Sequence, residues 1–460
     1  MSLIKSISGI RGTIGGKVDE NLTPIDAVKF AAAYGSWLKG QSSKEHVKVV
    51  IGRDARISGE MIQNLVQYTL IGLGIDVVNI GLSTTPTVEV AVPMEKADGG
   101  IILTASHNPK EWNALKLLNN KGEFVSDQDG KAILKIAQEN DFSFATVDHL
   151  GKLTLDDQYI DLHIEKVLAL PLVTAEAIQK KKFRVVVDAV NSTGGIAIPR
   201  LLERLGVEVV KLYCEPNGHF PHNPEPLKEH LGDICKRVVE EKADFGIVVD
   251  PDVDRLAFIT DKGEMFGEEY TLVACADYVL GKAKGNVVSN LSSSRALRDI
   301  AQKHGVSYSA AAVGEVNVVT EMKRVEAIIG GEGNGGIIYP ELHYGRDALV
   351  GVALFLSLLA ERSGSVQQLR ESYPAYFMSK NKIQLTEQIN PDQILKAMEQ
   401  KYAHEQTTTI DGLKIDFADS WVHLRKSNTE PIIRIYTEAK SQKEADALAH
   451  RFIEEMQALI

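Results

Sequence analysis

Short apolar runs separated by amphipathic stretches organise the first three quarters of the chain. Residues 47–51, 75–80 and 99–103 have the composition of buried strands, and apolar side chains recur at helical spacing across residues 62–70. Thr23, which is followed by a proline, is a typical helix N-cap. Strands that alternate with helices favour a largely parallel sheet with helices on its faces. The pattern therefore predicts an α/β module at the start of the chain.

The same pattern restarts twice. A predicted helix at residues 155–170 could link the first module to the second. The later predicted strands lie at residues 183–187, 207–212, 245–249, 286–290, 308–313 and 327–329, and the later predicted helices at residues 198–205, 227–242, 295–304 and 346–360. Three successive modules of this kind indicate structural repeats without sequence identity.

The C-terminal segment has a different pattern. Residues 376–385 and 408–415 carry strand-like patterns, and residues 432–436 alternate like a half-buried strand. Ser441-Gln-Lys-Glu444 is a capping box, so it predicts the start of a final helix with an apolar face. We therefore predict an α+β module after the three α/β modules.

Composition narrows the class of protein. A chain of 460 residues suggests about three or four domains. The sequence contains no apolar run near the ~18 residues of a membrane helix, and its first residues lack a signal-peptide core. Three cysteines without metal-ligand spacing favour reduced thiols and a cytoplasmic location. A net charge of −11 argues against a nucleic-acid surface, so an anionic substrate would need a local cationic pocket.

A polar turn follows the apolar run at residues 99–103. Its sequence, Thr-Ala-Ser-His-Asn-Pro, occupies residues 104–109, and Asn-Pro is a strong turn signal. Ser106 is therefore expected at the carboxyl end of a strand, where open α/β sheets place their chemistry. With His107 beside it and Lys116 ten residues on, Ser106 suits a nucleophile or a phosphate carrier. The alternative is an ordinary turn with a capping serine.

Three carboxylates follow the predicted strand at residues 245–249. Asp250, Asp252 and Asp254 alternate along the chain, and three hard oxygen ligands at this spacing suit Mg²⁺ or Ca²⁺. An EF-hand is disfavoured because Arg255 stands where that loop needs glycine, and a solvated acidic turn remains the other alternative. Mg²⁺ prefers few carboxylates plus a phosphate oxygen, so a phosphoryl group on Ser106 would supply a fourth ligand.

Two further segments could bind phosphate. Residues 7–16 are glycine-punctuated around Arg11, although an arginine in a loop is usually only solvated. Residues 425–431, Arg-Lys-Ser-Asn-Thr-Glu-Pro, form a basic, hydroxyl-rich turn before the last predicted strand. This turn is either a solvated hairpin or a phosphate cradle of guanidinium, hydroxyl and backbone N–H groups.

Four loops in order give the chain a family resemblance. Residues 104–109 resemble the phosphoserine loop of the α-D-phosphohexomutases, and residues 250–255 their metal loop. Residues 331–336, Gly-Glu-Gly-Asn-Gly-Gly, resemble the sugar-binding loop, and residues 425–431 the phosphate-binding loop. This family contains phosphoglucomutase, phosphomannomutase and phosphoglucosamine mutase, and the order and spacing fit across essentially the whole chain.

The resemblance implies an α/β fold of four domains around a central cleft. Three domains would be similar mixed α/β domains, at residues 1–155 with the phosphoserine loop, 156–255 with the metal loop and 256–365 with the sugar-binding loop. The fourth, residues 366–460, would be an α+β domain related to the TATA-box-binding-protein-like folds and would carry the phosphate-binding loop.

The resemblance also implies a reaction. Ser106 would carry a phosphoryl group that moves between C6 and C1 of a hexose phosphate through a hexose 1,6-bisphosphate intermediate. One Mg²⁺ per chain would bind the phosphoserine at Ser106 together with Asp250, Asp252 and Asp254. Carried over by motif, the remaining roles fall on Arg11, Lys116 and Arg255 around the reacting phosphoryl group, Glu332 and Asn334 on sugar hydroxyls, and Arg425, Ser427, Asn428 and Thr429 on the non-reacting phosphate.

Departures from the family pattern bear on the substrate. Glucose and mannose mutases usually have a serine and then a histidine in the sugar loop, at the positions of Asn334 and Gly336 in this chain. They also usually have a histidine at the position of Glu315. An acidic residue there is more typical of phosphoglucosamine mutases, so glucosamine 6-phosphate is the expected substrate. Residues 216–224 look more like the glucose/mannose branch. His107, Lys116 and Glu315 all remain candidates for the general acid or base.

Other functions stay open at this point. A phosphoglucomutase or phosphomannomutase is the nearest alternative, and a Mg²⁺-dependent sugar phosphatase or a non-catalytic sugar-phosphate-binding protein comes from another class. The expected partner is a small phosphosugar, without nucleic acid or membrane. The sequence leaves open whether the chain is a monomer or a homodimer.

Overall fold

The computed structural model describes residues 2–6, 9–44, 46–386, 389–426 and 432–459. The chain forms two compact units. Unit 1 comprises Met1–Val279 and Asn334–Gln367, and unit 2 comprises Leu280–Gly333 and Gln368–Ile460. This division does not test the four predicted domain boundaries, which stay a prediction.

Unit 1 begins with a seven-stranded sheet in the order β1-β2-β6-β5-β3-β4-β7. Its elements are β1 (Ile4–Ser6), β2 (Gly9–Thr13), α1 (Pro24–Gln41), β3 (Lys48–Arg53), α2 (Gly59–Gly72), β4 (Asp76–Leu82), α3 (Thr85–Met94), β5 (Gly99–Leu103), β6 (Trp112–Leu118), α4 (Asp127–Glu139) and β7 (Leu153–Leu155). Strand β3 runs parallel to β4 and β5, whereas β6 runs antiparallel to both β5 and β2. The sheet is therefore mixed.

Alternation along β3 places side chains in two separate cores. Val49 and Ile51 pack in a cluster with buried residues of α1, α2 and α4, while Val50 packs in another cluster with buried residues of α3. Successive side chains of a strand point to opposite faces, so a strand covered on both faces needs a continuous apolar run. The sheet is thus the middle layer of an α/β/α arrangement.

The second sheet of unit 1 repeats the order of four inner strands of the first sheet. Its elements are α5 (Tyr159–Leu168), α6 (Ala175–Lys181), β8 (Arg184–Asp188), α7 (Gly194–Arg204), β9 (Glu208–Leu212), α8 (Gly232–Glu240), β10 (Phe245–Val249) and β11 (Leu256–Ile259), followed by α9 (Glu268–Lys282). Strand β8 lies between β9 and β10 and is parallel to both, and β11 returns antiparallel to β10. The order β11-β10-β8-β9 matches β6-β5-β3-β4.

Two helix predictions in this region are partly wrong. The helix predicted at residues 155–170 begins only at Tyr159, because Leu155 ends β7 and pairs with β4. The helix predicted at residues 227–242 is shorter, since α8 spans only Gly232–Glu240.

Unit 2 begins with a third sheet in which one strand lies between two parallel neighbours, as in the first two sheets. Its elements are β12 (Asn286–Asn290), α10 (Ala296–Lys303), β13 (Tyr308–Ala311), α11 (Glu315–Arg324) and β14 (Ala327–Glu332). Strand β12 lies between β13 and β14 and is parallel to both. The predicted structural repeat therefore appears in three sheets. The chain then forms β15 (Gly336–Ile338) and α12 (Ala348–Glu361), which belong to unit 1, and α13 (Val366–Glu371).

The rest of unit 2 is an antiparallel sheet with two helices. Its elements are β16 (Phe377–Gln384), α14 (Pro391–Lys401), β17 (Gln406–Thr408), β18 (Leu413–Asp416), β19 (Trp421–Lys426), β20 (Ile432–Ala439) and α15 (Gln442–Gln457). The strand order is β16-β20-β19-β18-β17. The single strand predicted at residues 408–415 is wrong, because a turn at Gly412, with φ +75°, separates β17 from β18. The predicted α+β character is confirmed.

Both predicted helix caps are confirmed. Thr23 accepts a hydrogen bond from the amide of Asp26 at the start of α1, and Ser441 accepts one from the amide of Glu444 at the start of α15. These side chains satisfy amide groups that have no partner inside the helix. Among the described residues, no helix combines the length and the apolar composition that crossing a bilayer requires.

A cluster of phenylalanines fills part of the core of unit 1. Phe258 and Phe355 are stacked with ring centroids 3.8 Å apart, and Phe245 and Phe266 meet this pair edge to face. All four rings are fully buried. Such a cluster ties α12 to the second sheet by apolar burial and ring contacts.

Replacement of Phe355 by alanine should lower the stability of unit 1. Removing a buried aromatic ring leaves a cavity that costs about 3–5 kcal/mol. Thermal and denaturant unfolding followed by circular dichroism measures the loss. The matched control is Phe144→Ala, because Phe144 is 54% exposed and its removal leaves no cavity. Equal shifts for the two variants would contradict the assigned packing.

Candidate active site

Ser106 lies in a tight turn that follows β5. The residue has φ +48°, a left-handed conformation that is uncommon outside glycine. Its side-chain oxygen donates a hydrogen bond to Asp250 Oδ2 at 2.8 Å, and His107 Nδ1 lies 3.4 Å from the same oxygen. The structure therefore brings the predicted serine and the first predicted metal ligand together across 144 residues of sequence.

The three predicted metal ligands form one buried loop after β10. Asp250, Asp252 and Asp254 are fully buried, and one carboxylate oxygen from each lies within 4.8 Å of the others. Between the last two, Val253 has φ +64°, which is rare for a β-branched residue. The amide of Ala348 at the start of α12 donates to the carbonyl of Val253 at 3.1 Å, so α12 holds the turn in place.

This loop fits a hard divalent cation. In the described part of the chain, Asp252 Oδ1 and Asp254 Oδ1 are buried and have no hydrogen-bond partner. Burial and the charges of Asp252 and Asp254 raise the pKa of Asp250 well above its usual range, which reports repulsion that a bound cation would relieve. Carboxylate oxygens without donors, close to a serine hydroxyl, are the ligands that Mg²⁺ prefers.

Cationic side chains already face the acid loop. Lys116, on β6, lies with Nζ 2.7 Å from Asp252 Oδ2 and 3.5 Å from Asp254 Oδ2. Burial favours the neutral amine, but the two carboxylates outweigh it and raise the pKa of Lys116 above its usual value. Burial likewise opposes ionisation of Asp252, but Lys116 holds the pKa of that carboxyl below its usual range. Arg346 donates to Asp254 Oδ2 at 2.7 Å.

Arginines surround His107. Burial first, and then the positive charges of Arg255, Arg11 and Arg346, lower the pKa of His107 to about 2, against the opposing charge of Asp252. The structure thus places Arg11 and Arg255 in the electrostatic environment of the Ser106 turn. Arg11 lies in β2, so the prediction that it sits in a glycine-rich loop is wrong. The short strand β2 pairs with β6 on one side and β1 on the other.

The sugar-loop residue Asn334 also belongs to unit 1. Its Oδ1 accepts a hydrogen bond from the amide of Gly336 at 3.2 Å. Gly335, between them, has φ +88°, and a Cβ there would lie 2.2 Å from the carbonyl oxygen of Leu256. Only glycine therefore fits this close approach.

Unit 2 contains three other residues that the sequence predicts for the site, namely Glu332, Glu315 and Arg425. Glu332, at the end of β14, accepts hydrogen bonds through Oε1 from Asn290 Nδ2 at 2.8 Å and from the amide of Gly314 at 3.0 Å. Gly314 precedes Glu315, the first residue of α11, which is 8% exposed. Glu332 thus fixes the backbone that carries Glu315.

Arg425 lies in β19 and forms an ion pair with Asp411. The distance between Arg425 Nε and Asp411 Oδ2 is 2.7 Å, and the same oxygen accepts a hydrogen bond from the amide of Val313 at 2.9 Å. Asp411 therefore connects Arg425 to the segment just before Gly314. Ser427, Asn428 and Thr429, which the sequence assigns to the same phosphate-binding loop, lie outside the described residues.

Sequence reasoning missed Arg346, Thr85 and Asp411. The hydroxyl of Thr85 donates to Asp252 Oδ2 at 2.5 Å, and the amide of Thr85 donates to the carbonyl of Asp252 at 2.8 Å. The only sequence signal for Arg346 is its place, next to the N-cap residue Asp347, at the start of a strongly apolar helix. Thr85 and Asp411 carry no signal beyond their turn positions.

A second buried cluster of metal-binding residue types lies in unit 1. His163 Nε2 and His343 Nε2 lie 3.0 and 3.2 Å from Asp347 Oδ2. Although burial opposes protonation, Asp347 and Glu89 raise the pKa of His343 to about 10. Asp347 Oδ1 accepts the amides of Leu349 and Val350 at the start of α12. A protonated His343 between two carboxylates accounts for this cluster as a hydrogen-bonded support of α12.

Comparisons with known proteins place the chain in a family. Family models described as phosphoglucomutase/phosphomannomutase domains I, II and III and the C-terminal domain match residues 3–144, 157–263, 267–376 and 382–455. A "Phosphoglucomutase/phosphomannomutase" of Thermococcus kodakarensis is 36% identical over 440 residues, which are 94% of this chain and 95% of the relative. A "Probable phosphoglucosamine mutase" of Methanopyrus kandleri is 32% identical over 97% of this chain and 96% of the relative.

A solved structure extends the likeness to the fold. The crystal structure of a phosphoglucomutase/phosphomannomutase family protein from Burkholderia thailandensis superposes with a TM-score of 0.85 at 25% identity, covering 99% of this chain and 98% of that one. The fold and the catalytic loops define a phosphohexomutase, which is an isomerase. The chain belongs to the phosphoglucomutase/phosphomannomutase family, with its four-domain architecture.

Mg²⁺ should bind and stabilise the wild-type chain. A cation that binds only the folded state stabilises it by about 2.7 kcal/mol at roughly a hundredfold excess over its Kd. Asp252→Asn should weaken binding by at least about tenfold, because it removes a ligand charge. Isothermal titration calorimetry with MgCl₂ and thermal unfolding measure the two effects.

The matched control for this titration is Asp244→Asn. Asp244 precedes β10 at the end opposite the acid loop, where its carboxylate accepts the amide of Arg184. This variant should bind Mg²⁺ like the wild type. Equal loss of affinity in both variants would show that the acid loop is not the cation site.

Proposed function

We propose that the chain converts glucosamine 6-phosphate to glucosamine 1-phosphate through a phosphorylated Ser106 and a 1,6-bisphosphate. The single observation that supports the serine as the phosphoryl carrier is the 2.8 Å hydrogen bond between Ser106 Oγ and Asp250 inside a buried loop of three carboxylates. A divalent cation beside this serine would neutralise charge on a phosphoryl group carried there, and the loop fits one.

The residues around Ser106 suit phosphoryl transfer. We propose that Asp250, Asp252, Asp254 and the phosphoserine hold one Mg²⁺, which would neutralise charge on the phosphoryl oxygens when bound. Lys116, Arg11 and Arg255 supply fixed positive charge near the same oxygens. Phosphoryl transfer depends mainly on positioning and charge stabilisation, so preformed cations in a buried site are the expected machinery.

The transfer occurs twice and returns the enzyme to its starting state. In the first step the free C1 hydroxyl of the substrate attacks the phosphorus and its proton passes to a base, while the bond from phosphorus to Ser106 Oγ breaks and the leaving Ser106 Oγ takes up a proton. In the second step Ser106 Oγ attacks the C6 phosphate of the bisphosphate and loses its proton, and the C6 oxygen leaves and is protonated. Hexose 1,6-bisphosphate therefore serves as intermediate and activator.

The three candidate proton carriers differ in their surroundings. Lys116 is paired with two carboxylates and protonated, so it can donate a proton but not accept one in this state. His107 Nδ1 lies 3.4 Å from Ser106 Oγ, but burial and the neighbouring arginines lower its pKa to about 2, so the imidazole is neutral and a weak base. We propose Glu315 for the sugar rather than for Ser106, because it belongs to the same local structure as Glu332.

We propose that Glu332 and Asn334 bind sugar hydroxyls and that Arg425, with Ser427, Asn428 and Thr429, binds the phosphate that is not reacting. The polar ends of Glu332 and Asn334 are fixed by backbone amides, which preorganises them. The guanidinium of Arg425 is held by Asp411. An arginine fixed in this way suits bidentate recognition of phosphate.

Glu315 is the residue that we propose for glucosamine specificity. A buried carboxylate can pair with the substrate ammonium, and a neutral hydroxyl in that position gains less. The two relatives carry names from both branches of the family, one for glucose and mannose phosphates and one for glucosamine phosphate. The acidic residue at position 315 is what favours glucosamine here.

The free cysteines fit a reducing compartment, so we propose a cytoplasmic enzyme. Cys214, Cys235 and Cys275 form no disulfide among the described residues. Thiols of this kind persist where glutathione keeps them reduced.

Ser106→Ala should abolish turnover while the chain stays folded. Incubation with hexose 1,6-bisphosphate should add about 80 Da to the wild type, as expected for one phosphoryl group, and nothing to Ser106→Ala. Intact mass spectrometry and a coupled assay for hexose 1-phosphate measure both outcomes. Ser357→Ala is the matched control, because this serine is also buried but lies within α12. Release of inorganic phosphate instead of hexose 1-phosphate would indicate a phosphatase.

Glu315→Gln should change substrate preference. The ratio of kcat/KM for glucosamine 6-phosphate to kcat/KM for glucose 6-phosphate should fall by about tenfold or more, since a charge-assisted hydrogen bond is lost. Glu321→Gln, on the same helix but paired with Arg324, is the matched control and should leave the ratio unchanged. A wild-type preference for glucose or mannose phosphate would reject the glucosamine assignment.

A further inference from the structure

Arg56 makes an unusual set of contacts with the Ser106 turn. Its Nη2 donates to the carbonyl oxygens of Ser106 at 2.6 Å and Asn108 at 2.7 Å, and its Nη1 donates to those of Pro109 at 2.7 Å and Trp112 at 3.0 Å. An arginine has five N–H donors in a rigid fork, and these contacts use four of them.

The fifth donor fixes Arg56 to Asp54. Arg56 Nε donates to Asp54 Oδ2 at 2.9 Å, and the Arg56 amide donates to Asp54 Oδ1 at 2.9 Å. Both side chains are fully buried, and the ring of Phe220 covers the guanidinium with its centroid 5.1 Å away. The arginine is therefore held in one orientation by a buried partner.

Asp54 also reaches the other side of Ser106. The hydroxyl of Thr104 donates to Asp54 Oδ2 at 2.7 Å, and the amide of Ser106 donates to Thr104 Oγ1 at 3.0 Å. The amide of Ser106 is thus held through Asp54 and Thr104, and its carbonyl through Arg56. The amide and the carbonyl of Ser106, whose φ is +48°, therefore both depend on the buried pair of Arg56 and Asp54.

We propose that Arg56, oriented by Asp54, is a positioning residue that sets the direction of Ser106 Oγ for phosphoryl transfer. This inference rests on the proposed function, because it assigns Arg56 a role in loading and unloading Ser106. Arg56 touches only backbone carbonyls of the turn and reaches the reaction through them. A left-handed backbone conformation is disfavoured for serine. The Arg56–Asp54 pair, which we call the clamp, therefore keeps the Ser106 hydroxyl directed at the acid loop.

A purely structural role makes a different prediction from a positioning role. A structural clamp would lower stability and leave the kcat of the folded fraction unchanged. A positioning clamp would lower kcat, because a displacement near 1 Å of a reacting group costs about a hundredfold in rate. The chain offers a matched control in Arg295, a second buried arginine that donates to the carbonyls of Ala418, Phe417 and Ser420 and pairs with Asp416.

The experiment compares Arg56→Lys with Arg295→Lys in the full chain. Lysine keeps the charge but cannot reproduce the planar fork. We expect both variants to lose thermal stability. In Arg56→Lys alone, kcat should fall by about a hundredfold with KM for the hexose phosphate nearly unchanged. Phosphorylation of Ser106 by hexose 1,6-bisphosphate, followed by intact mass, should slow to the same extent.

Three further variants keep the test decisive. If Arg56→Lys does not fold, Thr104→Val removes the link from Asp54 to the Ser106 amide and should also lower kcat. Guanidinium chloride at millimolar concentration should partly restore kcat to Arg56→Ala, and should not change kcat of Arg295→Ala.

Three results would count against the proposal. Equal kcat in Arg56→Lys and Arg295→Lys would overturn the positioning role, and so would an unchanged kcat in Thr104→Val. A wild-type chain that never gains phosphate on Ser106 would overturn the proposed function itself and, with it, the catalytic reason for the clamp.

Discussion

Three carboxylates folded into one buried loop are the constraint on which the rest of the structure depends. Asp250, Asp252 and Asp254 repel each other in surroundings where water cannot screen them, and moving charges of this kind out of water costs several kcal/mol each. Lys116 and Arg346 offset part of this repulsion. Asp252 Oδ1 and Asp254 Oδ1 remain without donors, and the Ser106 hydroxyl reaches the third carboxylate, Asp250. Charge balance therefore links the serine turn, the acid loop and a divalent cation.

The backbone around this loop is held in conformations that the chain would not adopt alone. Ser106 and Val253 both have positive φ, and such residues persist only where neighbouring structure determines them. The N-terminal end of α12 holds Val253, and the α3 residue Thr85 holds Asp252. The strand order that the first two sheets share places the two turns at the carboxyl ends of β5 and β10. The fold thus supplies rigidity at the points where the site needs it.

Sequence patterns predicted some parts of this arrangement well. The buried strands β3, β5 and β10 are continuous apolar runs, so their ends, and the polar loops that follow, could be read directly. Asp250, Asp252 and Asp254 could be grouped because they lie close in sequence. Short or polar strands could not be identified in the same way. Strand β6 carries Lys116 and strand β2 carries Arg11, and neither has the apolar run that marks a strand.

The contacts that sequence reasoning missed are long-range ones. Arg346 and Thr85 reach the acid loop from positions far away in the chain, and Asp411 reaches Val313 across 98 residues. No local spacing encodes such contacts, since each depends on how sheets and helices pack. Glu315 and Glu332 could be named from their loops, but the hydrogen bond that joins Glu332 to Gly314 could not. Residues 427–431 lie outside the described residues, so Ser427, Asn428 and Thr429 are assigned from sequence alone.

Anomalous diffraction from crystals grown with Mn²⁺ tests the central claim most directly, because Mn²⁺ takes the same oxygen ligands as Mg²⁺. The account predicts one strong anomalous peak, about 2.1–2.2 Å from one carboxylate oxygen each of Asp250, Asp252 and Asp254 and adjacent to the Ser106 oxygen or its phosphate. A peak elsewhere, or an acid loop without any peak at saturating Mn²⁺, would contradict it.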